Sequence, residues 1–210
     1  MKLYDYYRSS CSYRVRIALN IKNLEYEVIP VHLLNNGGEQ HSADYKKINP
    51  QEVVPTLETN DGILINQSLA ILGYLDETYK TPPLLPEDPI ARAKVREICL
   101  LISCEIHPLN NLRVLQTLVN EYKFNDEQKL AWYHKWLKLG FDALELKLAS
   151  LPRSKMVCYG DSITLADICL IPQVYNAKRF KFNLDDYHLI SQIGEYCNSL
   201  EPFKQAVPKE

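Results

Sequence analysis

Read as apolar and polar positions, the chain changes period near residue 80. Before that point, short β-branched or alternating runs interleave with stretches at three- and four-residue spacing; after it, helical spacing takes over. Lys2–Tyr6 (KLYDY) predicts a first strand, and Ser12–Lys22 a first helix with Val15, Ala18 and Leu19 on one face. Tyr26–Leu33 (YEVIPVHL) predicts a second strand. The polar loop NNGGEQ follows, and Ser42 is placed to cap a short helix ending at Asn49-Pro50. VPTLET and ILIN flank Asn60-Asp61-Gly62, a hairpin signal, and QSLAILGYLDETY then returns to helical spacing through Leu69, Leu72, Tyr74 and Leu75. The order β-α-β-α-β-β-α combines one parallel crossover with one hairpin. It predicts a four-stranded sheet with helices on its faces.

Thr81–Pro89 (TPPLLPEDP) holds four of the chain's twelve prolines and predicts a semi-rigid connector. Beyond it, helical spacing is expected over 90 to about 122, 126 to about 150, 164 to about 180 and 186 to about 200. The organisation expected is therefore an α/β domain over 1–80, a linker over 81–89 and an all-α domain over 90–210. In GDSITLAD, Thr164 and Asp167 have capping-box spacing, with Ile163 and Ile168 as a hydrophobic staple, so Asp167 reads as structural.

Composition narrows the field. At 210 residues, 46% hydrophobic and 24% charged, the chain has the make-up of a soluble globular protein. A net charge of −2 argues against a nucleic-acid surface as its main business. No apolar run reaches the ~18 residues a membrane span needs, and the N-terminus lacks a signal-peptide pattern. The six cysteines, Cys11, Cys99, Cys104, Cys158, Cys169 and Cys197, form no CxxC or zinc-ribbon spacing. They read as reduced thiols of a cytoplasmic protein, most of them core fillers.

The densest chemistry lies where the first strand becomes the first helix: Arg8, Ser9, Ser10, Cys11, Ser12 and Arg14. A helix N-terminus offers unpaired N–H groups and a positive dipole end, which favour an anion. Hydroxyl donors and two arginines beside it would depress the pKa of a thiol. Moving a thiol from ~8.5 to ~6.5 takes about 2.7 kcal/mol. One hydrogen bond to a charged group gives roughly 1.5–3 kcal/mol, and the dipole up to about 2. The thiol is either Cys11 itself or one carried by a small cosubstrate. The plain alternative, a serine that merely caps the helix, accounts for one serine but not for the whole cluster.

Two further places complete a pocket. Val54-Pro55 leads a strand, and a cis proline there would expose the preceding backbone to an extended ligand. Gln67-Ser68 opens the next helix, a second N-terminus suited to a carboxylate or simply an ordinary cap. Together they suit a peptide-like thiol bearing carboxylates. In the helical half, Cys104 and His107 share a face at i, i+3, but no third ligand stands at usable spacing, so no metal is expected.

RSSCSYRVRIAL, NPQEVVPTL, NQSLAILGYL and GDSITLADICLIPQ, in this order, resemble the zeta class of glutathione transferases over essentially the whole chain. The SSCS stretch separates that class from those that use tyrosine. The resemblance implies a thioredoxin-like N-terminal domain followed by an all-α domain, a homodimer, and glutathione as a recycled cofactor. The implied reaction isomerises maleylacetoacetate to fumarylacetoacetate in tyrosine and phenylalanine breakdown. Carried over by position, Ser9 activates the glutathione sulfur with Ser10 and Cys11 beside it. Val54 and Pro55 meet the cysteinyl backbone, Gln67 and Ser68 the γ-glutamyl end, and Gln40 the glycyl end; His107 and Asn111 match cleft positions. Some members carry Gln and Ser where this chain has His107 and Arg113.

The chemistry is coherent on its own terms. Adding a thiolate to a conjugated C=C makes a rotatable single bond, and eliminating it releases the trans product. For the carboxylates of the maleyl keto acid that the resemblance implies as substrate, Arg8 and Arg179 are the candidate anchors and Arg113 a weaker third. A solvated basic face is the competing account of Arg179. Other readings stay open: a maleylpyruvate isomerase, a glutathione-dependent transferase or thiol oxidoreductase working through Cys11, and a non-catalytic interaction module.

Overall fold

A computed structural model of the chain describes residues 1–209. The first strand, β1 (Lys2–Asp5), leads into α1 (Ser10–Ile21), and β2 (Glu27–Pro30) follows. After two 3₁₀ turns, Asn35–Gly37 and Glu39–His41, come α2 (Ala43–Ile48), β3 (Thr56–Glu58), β4 (Leu64–Asn66) and α3 (Ser68–Thr78). The sheet runs β2-β1-β3-β4, with β1 parallel to β2 and both other pairs antiparallel. That is the expected topology: the β1-α1-β2 crossover supplies the parallel pair and the Asn60-Asp61-Gly62 turn the hairpin, with Gly62 at φ 76°.

The chain forms two compact units: Met1–Pro83 together with the segment from Ser199 onward, and Leu84–Asn198. In the first, α1 packs against α3, and Leu3, Val15, Ile17, Ala18, Leu19, Leu57, Ile71, Leu72 and Leu75 are fully buried. A second cluster joins Tyr6, Val31, Tyr45 and Val54. Helix α1 begins two residues earlier than its apolar spacing suggests, because Ser9 rather than a later serine is the cap. It ends in a Schellman motif: Asn23 adopts φ 52°, and the Leu24 N–H reaches the Leu19 carbonyl at 3.0 Å.

The C-terminal segment differs from the sequence expectation, which grouped it with the helical half. A further short helix, Glu201–Ala206, lies against α1. The reason is polar. Arg16, buried and bidentate to Asp5 at 2.7 and 2.8 Å, also donates to the Ala206 carbonyl at 3.1 Å, and the Asn20 amide donates to the Pro202 carbonyl at 2.9 Å.

The second unit is helical: α4 (Pro89–Leu100), α5 (Leu112–Asn120), α6 (Asp126–Ser150), α7 (Leu165–Arg179) and α8 (His188–Ser199, whose last residue groups with the first unit). Where one stretch was expected over 90–122, the chain makes α4, a π-helical turn (Leu101–Ile106), a 3₁₀ turn (Pro108–Asn110) and α5. Pro108 lacks the N–H that would continue the ladder. Helix α7 is buried on nearly every side, and its capping box forms: Asp167 accepts from the Thr164 N–H (2.8 Å) and hydroxyl (2.9 Å). Asp167 also accepts from the Cys158 N–H at 2.7 Å, so it ties down the preceding loop, and burial raises its pKa. Among the described residues no helix is long and apolar enough to cross a membrane.

Candidate active site

Ser9 sits at the N-cap of α1, half-buried, with its own N–H held by the Tyr6 carbonyl at 2.8 Å. Its Oγ accepts the Ser12 N–H at 3.2 Å. An Oγ that accepts from the helix still carries its hydrogen, so the hydroxyl can donate to an anion above the helix end. The capping and activating readings of this serine are therefore compatible. Ser10 is buried, Cys11 partly so, and Arg8 lies over the Tyr7 ring at 5.0 Å.

The residue that sequence reasoning undervalued is Arg14. The sequence offers it only as added positive charge, but it is 1% exposed on the inner side of α1. Its Nη1 donates to Ser68 Oγ at 3.2 Å and lies 3.9 Å from Cys11 Sγ, while Nε and Nη2 are buried without a protein partner. It thus joins the N-termini of α1 and α3. The Ser68 hydroxyl expected to hold a carboxylate already accepts from Arg14, which leaves its hydrogen to point outward as a donor. Arg14 and Arg16 are the two charges in the unbroken buried run Ser12–Leu19.

Gln67 precedes α3 at φ 69°, ψ 117°, a left-handed conformation costing on the order of 1–3 kcal/mol in a residue with a Cβ. Its exposed side chain donates to Gln51 Oε1 at 2.7 Å. The Val54–Pro55 peptide is cis, as the sequence allowed. The Val54 backbone N–H and C=O make no hydrogen bond among the described residues, which suits pairing with an extended ligand. Gln40 is buried, with its Nε2 3.0 Å from His41 Nε2 and its Oε1 unpartnered. Donor hydroxyls, a free backbone edge and orphaned buried amide and guanidinium groups in one unit fit a small peptide with anionic ends.

In the second unit, Asn111 caps α5, its side chain accepting the Arg113 N–H at 2.9 Å, and Arg113 is exposed. His107 is half-buried between the π and 3₁₀ turns. Arg179 is exposed and lies over the Phe180 ring at 4.8 Å. Cys99, Cys158, Cys169 and Cys197 are buried and Cys104 exposed; burial pushes the Cys158 and Cys197 thiols up. Among the described residues no three His, Cys, Asp or Glu side chains cluster as a metal site would require.

A mixed four-stranded sheet with a hydroxyl-rich α1 N-terminus and a cis proline leading β3 defines a thioredoxin-like, thiol-binding fold. The sequence family described as "Glutathione S-transferase, N-terminal domain" matches residues 3–83. A Vibrio cholerae protein named probable maleylacetoacetate isomerase is 47% identical, covering 99% of this chain and 95% of its own. A holo structure of maleyl pyruvate isomerase, a bacterial zeta-class glutathione S-transferase, superimposes with a TM-score of 0.95 at 41% identity, covering 99% and 97%. A maleylacetoacetate isomerase from Methylobacterium extorquens AM1, solved with bound malonate and glutathione, gives 0.94 at 37%, covering 99% and 96%. The chain belongs to the glutathione transferase family, in its zeta class with the maleylacetoacetate isomerases.

Proposed function

We propose that this chain is a glutathione-dependent cis–trans isomerase converting maleylacetoacetate to fumarylacetoacetate, a step of tyrosine and phenylalanine breakdown. We further propose that it works as a cytoplasmic homodimer. The observation that carries the reading is the Ser9 hydroxyl, which caps α1 while keeping its hydrogen for an anion at the positive helix end. When bound, glutathione supplies a thiolate that adds reversibly to the maleyl double bond and so permits rotation about it. Ser9 donates to that sulfur, with Ser10 and Cys11 shaping the wall beside it. Val54 pairs with the ligand's backbone at the cis Pro55, Gln67 and Ser68 hold the γ-glutamyl end, and Gln40 holds the glycyl end. His107 and Asn111 add ligand contacts. Arg8, Arg113 and Arg179 are assigned to the substrate's carboxylates, where charge-assisted pairs are strongest.

A maleylpyruvate isomerase is the second reading, favoured by the 0.95 superposition on an enzyme of that name. Supplying both maleyl keto acids with glutathione and following the fumaryl products tests the proposal: turnover of maleylacetoacetate is expected. Formation of neither product would overturn the isomerase reading. A chain that fails with Cys11→Ala yet works with Ser9→Ala would instead be the thiol oxidoreductase.

A further inference from the structure

We infer that Phe180 is a positioning residue for Arg179: its ring, backed by Tyr133, carries the guanidinium on its flat face and leaves the N–H edge free to fork a substrate carboxylate. This rests on the reading above, in which Arg179 meets such a carboxylate.

The platform is built from α6 and the end of α7. Tyr133 is 1% exposed, and its ring stacks on Phe180 with centroids 3.9 Å apart and planes 15° from parallel. Gln173 of α7, also buried, holds the Tyr133 hydroxyl by a hydrogen bond. Tyr133 fills one face of the Phe180 ring, which leaves the other for Arg179, whose Cζ lies 4.8 Å from the centroid. The backbone beneath is fixed as well. Arg179 is the last residue of α7, and the helix closes in a Schellman motif. Lys181 adopts φ 55°, the Phe182 N–H reaches the Ala177 carbonyl at 2.9 Å, and the Lys181 N–H reaches the Lys178 carbonyl at 3.0 Å. The Phe180 carbonyl accepts from His134 Nε2 at 2.8 Å, so α6 holds both the ring and the main chain of Phe180.

The helix dipole accounts for a cation at this end of α7, as it would for the exposed neighbours Lys178 and Lys181. It does not account for an aromatic platform under one of the three. Stacking engages the face of a guanidinium, whereas its five N–H donors lie in the plane and point out from the edge. Arg179 pairs with no carboxylate among the described residues. Its donors are therefore unspent, while the stack confines a long side chain to one plane. A carboxylate arriving in that plane meets two parallel N–H groups, the geometry of the strongest pairs. An exposed arginine without a ring would have to lose that freedom as the pair forms.

Steady-state isomerisation is measured at saturating glutathione with whichever maleyl keto acid the chain turns over faster. Phe180→Leu keeps an apolar side chain and removes the π face. It should raise KM about two- to fivefold, the worth of a cation–π contact at an exposed site, while kcat holds. Phe180→Tyr, which keeps the face, should recover the KM lost in Phe180→Leu. Arg179→Lys keeps the charge but lacks the plane, and should raise KM at least as far. Placed in Arg179→Gln, Phe180→Leu should add nothing, because the two side chains act as one unit. An unmoved KM in Phe180→Leu, a penalty that persists in the Arg179→Gln background, or a wild-type KM in Arg179→Lys would overturn the inference and leave the isomerase reading intact. An Arg179→Gln variant with unchanged KM would remove Arg179 from the carboxylate and overturn it too. Turnover of neither keto acid by the wild type would overturn the isomerase reading itself, and the inference with it.

Discussion

At the scale of single residues, function turns on where hydrogens are left over. Ser9 spends an acceptor lone pair on its helix and Ser68 spends one on Arg14, so each retains a donor for an anion. Arg14 is the costliest member, since a guanidinium with two unpartnered nitrogens is buried beneath the site. Such an arrangement earns its place if the arginine fixes the Ser68 hydroxyl and contributes charge toward the ligand. Arg14→Met is accordingly expected to weaken glutathione binding about tenfold, or roughly 1.4 kcal/mol. Thermal stability should hold or rise, because hydrophobic replacement of a buried charge is often neutral or stabilising. Equilibrium binding and a melting curve check both halves. Unchanged affinity would show that Arg14 is packing alone.

At the scale of elements, legibility in the sequence followed how local the determining physics was. The hairpin came from Asn60-Asp61-Gly62, α2 from the Ser42 cap, and α7 from Thr164 and Asp167, all set by residues within a few positions. The start of α3 at Ser68 was legible for the same reason, whereas α1, capped by Ser9, begins two residues before its apolar spacing does. What escaped was set by distant partners. The helix at Glu201–Ala206 is too short to show a period and is held by Arg16 and Asn20. Arg14 was hidden because α1 buries Ser12–Leu19 without a break, so no polar face marked it as unusual.

The π turn at Leu101–Ile106 was equally invisible, and it depends on Gly140 of α6. A Cβ on Gly140 would fall 2.2 Å from Ile106 Cγ1 and 2.3 Å from Cδ1, and Ile106 is fully buried. Alanine is favoured over glycine in a helix by about 1 kcal/mol. Overpacking a tight core costs typically 1–3 kcal/mol, so the clash wins. Gly140→Ala is expected to lower the melting temperature despite its better helix propensity; a rise would show that the π turn yields freely.

At the scale of the whole molecule, a net charge of −2 offers no broad field to gather a doubly anionic substrate. Attraction has to be local: the α1 and α3 N-termini, the buried Arg14 and a few arginines. The central claim is that the start of α1, with the Ser9 hydroxyl, keeps a bound thiol ionised near neutral pH. Ser9→Gly separates the two jobs of that side chain, since glycine at an N-cap costs only a few tenths of a kcal/mol yet removes the donor. The most direct measurement is a spectroscopic pH titration of the thiolate of enzyme-bound glutathione, in wild type and in Ser9→Gly. The account predicts that the wild-type thiol titrates about two units below the ~8.5 of an ordinary thiol, and that Ser9→Gly returns it most of the way. A bound thiol as weakly acidic as free glutathione, or one unmoved by Ser9→Gly, would contradict it.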